Sequence, residues 1–185
     1  MLLKSFIAGL VSLLLAGCAG VGLMQKSDAR PVMDRSYDLV AFQFQTLPGL
    51  EVSEDESFYP GADIVWRGDP TGPRIAQIES MFRTAAARNE TALTGDVPIT
   101  LVINLVRFHG VTNRTRYTVG GVYNAVFDLS VLDARTGAVI EPPRRVVANL
   151  DAPGGKTAVQ LEESGQTQKV RVLDFLALVL HQQLI

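Results

Sequence analysis

The stretch ITLVINLVRFH, residues 99–109, decides the fold. Ile99, Leu101, Ile103 and Leu105 recur at every second position, the period that puts side chains on one face of a β-strand, while Val102, Val106 and Phe108 add apolar weight to the other face. A strand apolar on both faces belongs inside a sheet, so residues 99–109 are predicted to form a central strand covered on both sides.

Downstream, HGVTNRTRYTVGG (109–121) carries turn formers and basic side chains and reads as the tip of a long hairpin. From 122 to 132, Tyr123, Ala125, Phe127, Leu129 and Val131 alternate with Asn124, Asp128 and Ser130, the pattern of a half-buried strand. DARTG (133–137) supplies a turn, and AVIEPPRRVVANL (138–150) returns as an edge strand in which Pro142 and Pro143 interrupt pairing.

Upstream, Ile75, Ile78, Phe82, Ala85 and Ala86 lie at spacings of three and four and predict an amphipathic helix over 74–92. Pro73 is its first residue behind a Thr71 and Gly72 cap, with Arg74, Gln77, Arg83 and Arg88 on the outer side. YDLVAFQFQ (37–45) reads as the first strand and GLEVSE (49–54) as a short second one. SEDESFYPGAD (53–63) is an acidic surface loop leading to Ile64, Val65 and Trp66. A closing helix carries Val170, Leu173, Leu176, Ala177, Leu180 and Leu184 on one stripe; it starts at Thr167 or, across Gly165, further back. These elements predict an α+β two-layer sandwich, an antiparallel sheet of about four to five strands with two helices on one face.

The first residues follow a different logic. Lys4 precedes FIAGLVSLLLAG (6–17), an apolar run of signal-peptide length. Leu15, Ala16, Gly17 and Cys18 then resemble a bacterial lipobox, which implies cleavage between Gly17 and Cys18 and lipid on the new terminal cysteine. The competing reading is an uncleaved span over 6–24, but AGCAGVG (16–22) lacks both leucine density and a belt of basic or aromatic residues. Two or three acyl chains, at roughly 0.8 kcal/mol per buried methylene, hold a protein to a membrane durably. Ala19, where an aspartate is associated with inner-membrane retention, favours the outer membrane.

The expected organisation is therefore a signal peptide (1–17), a lipidated tether (18–35) and one domain (36–185). Removing residues 1–17 leaves 168 residues and, with Lys4 gone, takes the net charge from −2 to about −3. That weak acidity gives no support to nucleic-acid binding. Cys18 is the only cysteine, so no internal disulfide can form.

Chemical motifs are sparse. GGKT (154–157) has the tail of a phosphate loop but Leu150 where its first glycine belongs. His109 and His181 have no second ligand at metal spacing, and Glu54, Asp55 and Glu56 lack the alternation of a calcium loop, so neither a metal nor a cofactor is expected. No serine sits in a G-x-S-x-G elbow. Arg107, Arg114, Arg116 and His109, with Arg144 and Arg145 nearby, form a basic patch that reads either as a solvated hairpin tip or as a surface for lipid headgroups or an acidic partner. Trp66 reads as a plug on the end of the core, its indole N–H bonded, or as part of a recognition surface with Arg67, Asp69, His109, Tyr123 and Asn124.

The words ADIVWRGDP, RFHGVT, GGVYN and DARTG, in this order, resemble an uncharacterised family of short alphaproteobacterial lipoproteins with a domain of unknown function. The resemblance covers Tyr37 to the C-terminal helix and carries no catalytic assignment. It implies that Trp66, Arg67, Asp69, Phe108, His109 and Asn124 belong to a shared pattern. The order of elements is also similar to that of periplasmic auxiliary lipoproteins of envelope transport systems, an analogy of fold alone. The functional expectation is a non-enzymatic periplasmic module, tethered by lipid, that binds an envelope partner; the alternative is a hydrolase with a site around His109.

Overall fold

The computed structural model describes residues 35–185. Gly17, Cys18 and all of the tether but Arg35 lie outside the described residues. Five strands and four helices follow in the order β1 (Tyr37–Thr46), β2 (Ile64–Val65), α1 (Arg74–Glu90), β3 (Val97–His109), α2 (Asn113–Arg116), β4 (Gly121–Asp133), β5 (Val139–Ala152), α3 (Gly155–Glu163) and α4 (Gln168–Leu184). They build one sheet in the order β1-β3-β4-β5, with β2 paired to the end of β3 beyond β1.

The α+β sandwich holds, but the sheet is mixed rather than wholly antiparallel. β1 runs parallel to β3, Tyr37 opposite Val97 and Thr46 opposite Leu105. The cause is the helix between them: α1 carries the chain back to the end of the sheet where β1 began, and such a crossover delivers a parallel neighbour. Only β3–β4 and β4–β5 are antiparallel. β5 is an edge as expected, and its prolines fall where pairing lapses between Arg144 opposite Leu129 and Glu141 opposite Val131.

The long helices α1 and α4 lie together on one face. Phe82 of α1 meets Phe127 edge-on at 5.1 Å and Phe44 at 5.7 Å, and Leu176, Leu180 and Leu184 of α4 close the core. Among the described residues β3 is therefore covered on one side only: Ile99, Leu101, Ile103 and Leu105 are fully buried, whereas Val102, Asn104 and Val106 remain half-exposed on the other side. Asn89 joins the helices by donating from Nδ2 to the carbonyls of Ala85 and Ala177, each at 3.0 Å.

Other expectations need correction. GLEVSE forms a single bridge, Val52 to Ile64, because the loop after it turns away at once. Pro73 is the N-cap of α1, and no side chain caps it. Arg74 faces inward, 3% exposed, because Glu54 supplies its counter-charge. Of the two starts predicted for the closing helix, the one at Thr167 holds: Gly165 adopts φ +82°, a conformation that ends a separate helix, α3, and lets Thr167 cap α4 by accepting from Val170 N.

At the start of the described residues, Arg35 Nη1 donates to the Ile185 carbonyl at 3.0 Å and the buried carboxylate of Glu141 takes the Tyr37 hydroxyl at 2.6 Å. Arg35 and Arg144 flank the same carboxylate at 3.1 and 3.5 Å. Burial, and then the bond to Glu141, push the Tyr37 pKa well above the usual tyrosine value. Among the described residues, no helix is long and apolar enough to cross a membrane.

Candidate functional site

One extra residue in β3 builds the site. The register with β4 puts Leu105 opposite Phe127 and Arg107 opposite Val126, so Val106 is a bulge. A one-residue insertion exchanges the faces of everything after it. Phe108 consequently joins the core, edge-on to Trp66 at 5.6 Å, instead of covering the outer face as the alternation predicts. Arg107 and His109 turn to the open side.

There His109, Asn124 and Asn149 stand in one row across three strands, each directly opposite the next. The amide of Asn124 donates to Asn149 Oδ1 at 2.8 Å. Tyr59, from the loop before β2, stacks on the His109 ring at 4.6 Å and is itself 70% exposed. His109 is 5% exposed, with Nε2 2.9 Å from the Pro60 carbonyl. The row, this loop and the glycine-rich start of β4 enclose a cleft of about 440 Å³.

The segment after His109 is the tip of the β3–β4 hairpin, as expected, but it is tied down rather than free. Thr112 caps α2, accepting from Thr115 N at 3.1 Å and donating to the Ser57 carbonyl at 2.9 Å, and the Thr115 hydroxyl donates to the Phe58 carbonyl at 2.7 Å. Glu56 accepts from Asn113 N at 2.8 Å. These bonds pin the acidic loop over the cleft, so that loop is an ion-paired strap. Arg116 is buried against Glu162, and Arg144 and Arg145 are committed to Glu141 and Asp128. The basic patch reduces to Arg107 and to Arg114, whose guanidinium lies 4.3 Å from the centre of the Phe58 ring.

Trp66 lies beneath this site, on the core side. It is fully buried, and its indole N–H donates to Asp69 Oδ2 at 2.8 Å while Asp69 Oδ1 meets Lys169 Nζ at 2.6 Å. Arg67 reaches back to Glu56 at 2.7 Å and to the Ser53 carbonyl at 3.2 Å. Arg74 holds Glu54 through two bonds, 2.6 and 2.9 Å, which keep the Glu54 carboxyl below its ordinary pKa. WRGD is thus a clamp between the strap, the core and α4.

The six residues singled out from sequence therefore divide. His109 and Asn124 line the cleft; Trp66 and Tyr123 pack on the opposite face of the sheet, where burial pushes the Tyr123 hydroxyl up to about 12; Arg67 and Asp69 serve the clamp. Reading by sequence missed Phe58, Tyr59 and Asn149. The phase break at Val106 was a usable signal for the bulge, whereas the strap gives none, because the bonds that tie it to Thr112, Asn113 and Thr115 span more than fifty positions. Among the described residues, no three of His, Cys, Asp or Glu converge as a metal site.

The cleft sits at the end of the sheet far from the start of β1. β1 starts beside Val97 at one end of β3, and the cleft gathers around His109 at the other. Thirteen residues at about 3.3 Å each separate the ends by roughly 40 Å.

Fold and site define a small α+β sandwich domain whose half-exposed sheet face carries a cleft at the end remote from the start of β1. The chain belongs to the family of unknown function DUF6778, whose model matches residues 37–185. Among solved structures it is similar to a Xanthomonas campestris protein of family DUF330, with 13% identity and a TM-score of 0.38 over 79% of this chain and 87% of that one. It is also similar to a candidate lipoprotein from Caulobacter crescentus CB15, with 16% identity and a TM-score of 0.25 over 81% of this chain and 91% of that one. No curated protein matches the chain at a significant level.

Proposed function

We propose that the protein is a lipoprotein of the bacterial envelope, held by acyl chains on Cys18 and facing the periplasm, whose domain is a binding module rather than an enzyme. Leu15, Ala16, Gly17 and Cys18 carry the anchor, and Ala19 directs it to the outer membrane. The observation that carries the binding role is the position of the cleft. A module leashed at Arg35 presents the cleft about 40 Å away from its tethered end, toward an envelope partner. The hydrolase reading has no observation in its favour: His109 gives Nε2 to the Pro60 carbonyl and its ring face to Tyr59.

Photo-crosslinking in intact cells tests this orientation. A crosslinker replacing Val119, exposed in the cleft, captures an envelope component, and one replacing Val139, exposed at the tethered end, does not. Equal capture from both positions contradicts the reading.

A further inference from the structure

We infer that the cleft binds a carboxylate carried on a short apolar body, with Arg107 as its counter-charge. This rests on the cleft being a recognition site and adds the chemistry of what it recognises.

The charge balance of the chain points there. Arg35, Arg67, Arg74, Arg116 and Arg144 are drawn out of solvent, and each meets a glutamate. Arg107, half-buried on the cleft wall, does not: among the described residues no carboxylate lies within 4.0 Å of it. Among the described residues its guanidinium makes one side-chain bond, Nη2 to the Tyr59 hydroxyl at 2.7 Å, and its buried Nε has no acceptor. A partly desolvated cation is costly unless an anion meets it, and here the protein leaves that place to something else. Glu51 and Asp63 line an adjoining hollow with Arg107, but Asp63 turns one oxygen to the Glu51 amide at 3.0 Å. Arg114, over Phe58, is a second cation whose guanidinium has no carboxylate within 4.0 Å among the described residues.

The rest of the lining selects the class of anion. The Asn124–Asn149 amide pair keeps one N–H-bearing and one carbonyl end free, neutral groups suited to an amide or hydroxyl next to the charge. Val111, Val119 and Val122 give the cleft an apolar wall. One planar guanidinium, neutral amides and valines match a singly charged carboxylate with an aliphatic body; a doubly charged phosphate calls for more donors. A cleft of about 440 Å³ is in the range that holds a small ligand or a few residues of chain.

Isothermal titration of the full-length lipidated protein in nanodiscs tests this with three probes: the acetylated tripeptide Ala-Val-Ala with a free carboxylate, the same peptide amidated, and hexanoate. At least one acid binds, and where the free peptide binds, its amidation weakens that binding tenfold or more. Binding of hexanoate alone assigns the cleft to a free acid; binding of the free peptide assigns it to a chain terminus. Arg107→Gln abolishes binding, and Arg107→Lys retains part of it. Asn149→Asp, an exposed change that leaves the melting temperature in place, weakens binding at least tenfold by adding a negative charge. Failure of both acids to bind, equal binding of acid and amide, or indifference to Asn149→Asp overturns the carboxylate assignment. Crosslinking from Val119 does not depend on ligand charge, so capture there without acid binding removes this inference and leaves the binding module.

Discussion

Gly68 lies against the indole of Trp66, so closely that a β-carbon at position 68 would come within 2.1 Å of Trp66 Cζ2. The two residues make the WRGD segment a single packed unit, with the ring filling the end of the core and Asp69 holding its N–H.

We expect Gly68→Ala to cost about 3 kcal/mol, at the upper end for an overpacked site, because the fully buried ring has nowhere to move. Urea unfolding followed by Trp66 fluorescence measures it. A native-like midpoint would mean that the indole does not occupy this position.

Gln168 is 2% exposed, and among the described residues neither Nε2 nor Oε1 of its amide has a partner. Replacing an unpaired buried amide by an apolar side chain of similar shape removes a desolvation cost without removing a bond. Gln168→Met is expected to stabilise the domain by about 1 kcal/mol, read as a higher melting temperature.

Alkaline stability follows from two tyrosines. Tyr37 and Tyr123 have pKa values raised in the folded state, Tyr123 to about 12, both chiefly by burial. A tyrosine held protonated by the fold contributes stability in full below its unfolded value near 10, and loses it as pH rises toward the folded value. Stability should be flat up to about pH 10 and then fall by roughly 1 kcal/mol per pH unit for each ring. Tyr37→Phe reduces that slope and, by removing the bond to Glu141, costs about 1 kcal/mol at neutral pH. Chemical denaturation at pH 8, 10 and 11 checks both effects.

In acid the sign reverses. Glu54 is held below its ordinary pKa by Arg74, so it contributes stability above the usual carboxylate range that is lost as pH falls through its folded value. Glu54→Gln should leave Arg74 buried without its counter-charge and flatten the acid side of the profile, measured as melting temperature between pH 3 and 6.

The sheet was legible in the sequence because its strands announce themselves by alternation. Tyr123 to Val131 needs no neighbour to be recognised, and Pro142 and Pro143 mark an edge by lacking donors. The parallel pairing of β1 was implicit in the helix between β1 and β3. The cleft was half-legible: His109 and Asn124 stood out, but placing them together depends on Val106 bulging, and Tyr59 reaches His109 from a loop fifty positions away. The strap looked like a solvated acidic run because charge composition does not reveal that Arg67, Arg74 and Asn113 will meet Glu54 and Glu56.

The most direct test of the anchored module is the intact mass of the N-terminal peptide of the mature protein from the membrane fraction. We expect a chain that begins at Cys18 and carries acyl groups, and a Cys18→Ala variant that is neither cleaved there nor acylated. An unmodified Cys18, or a mature chain that retains Met1, would contradict the assignment.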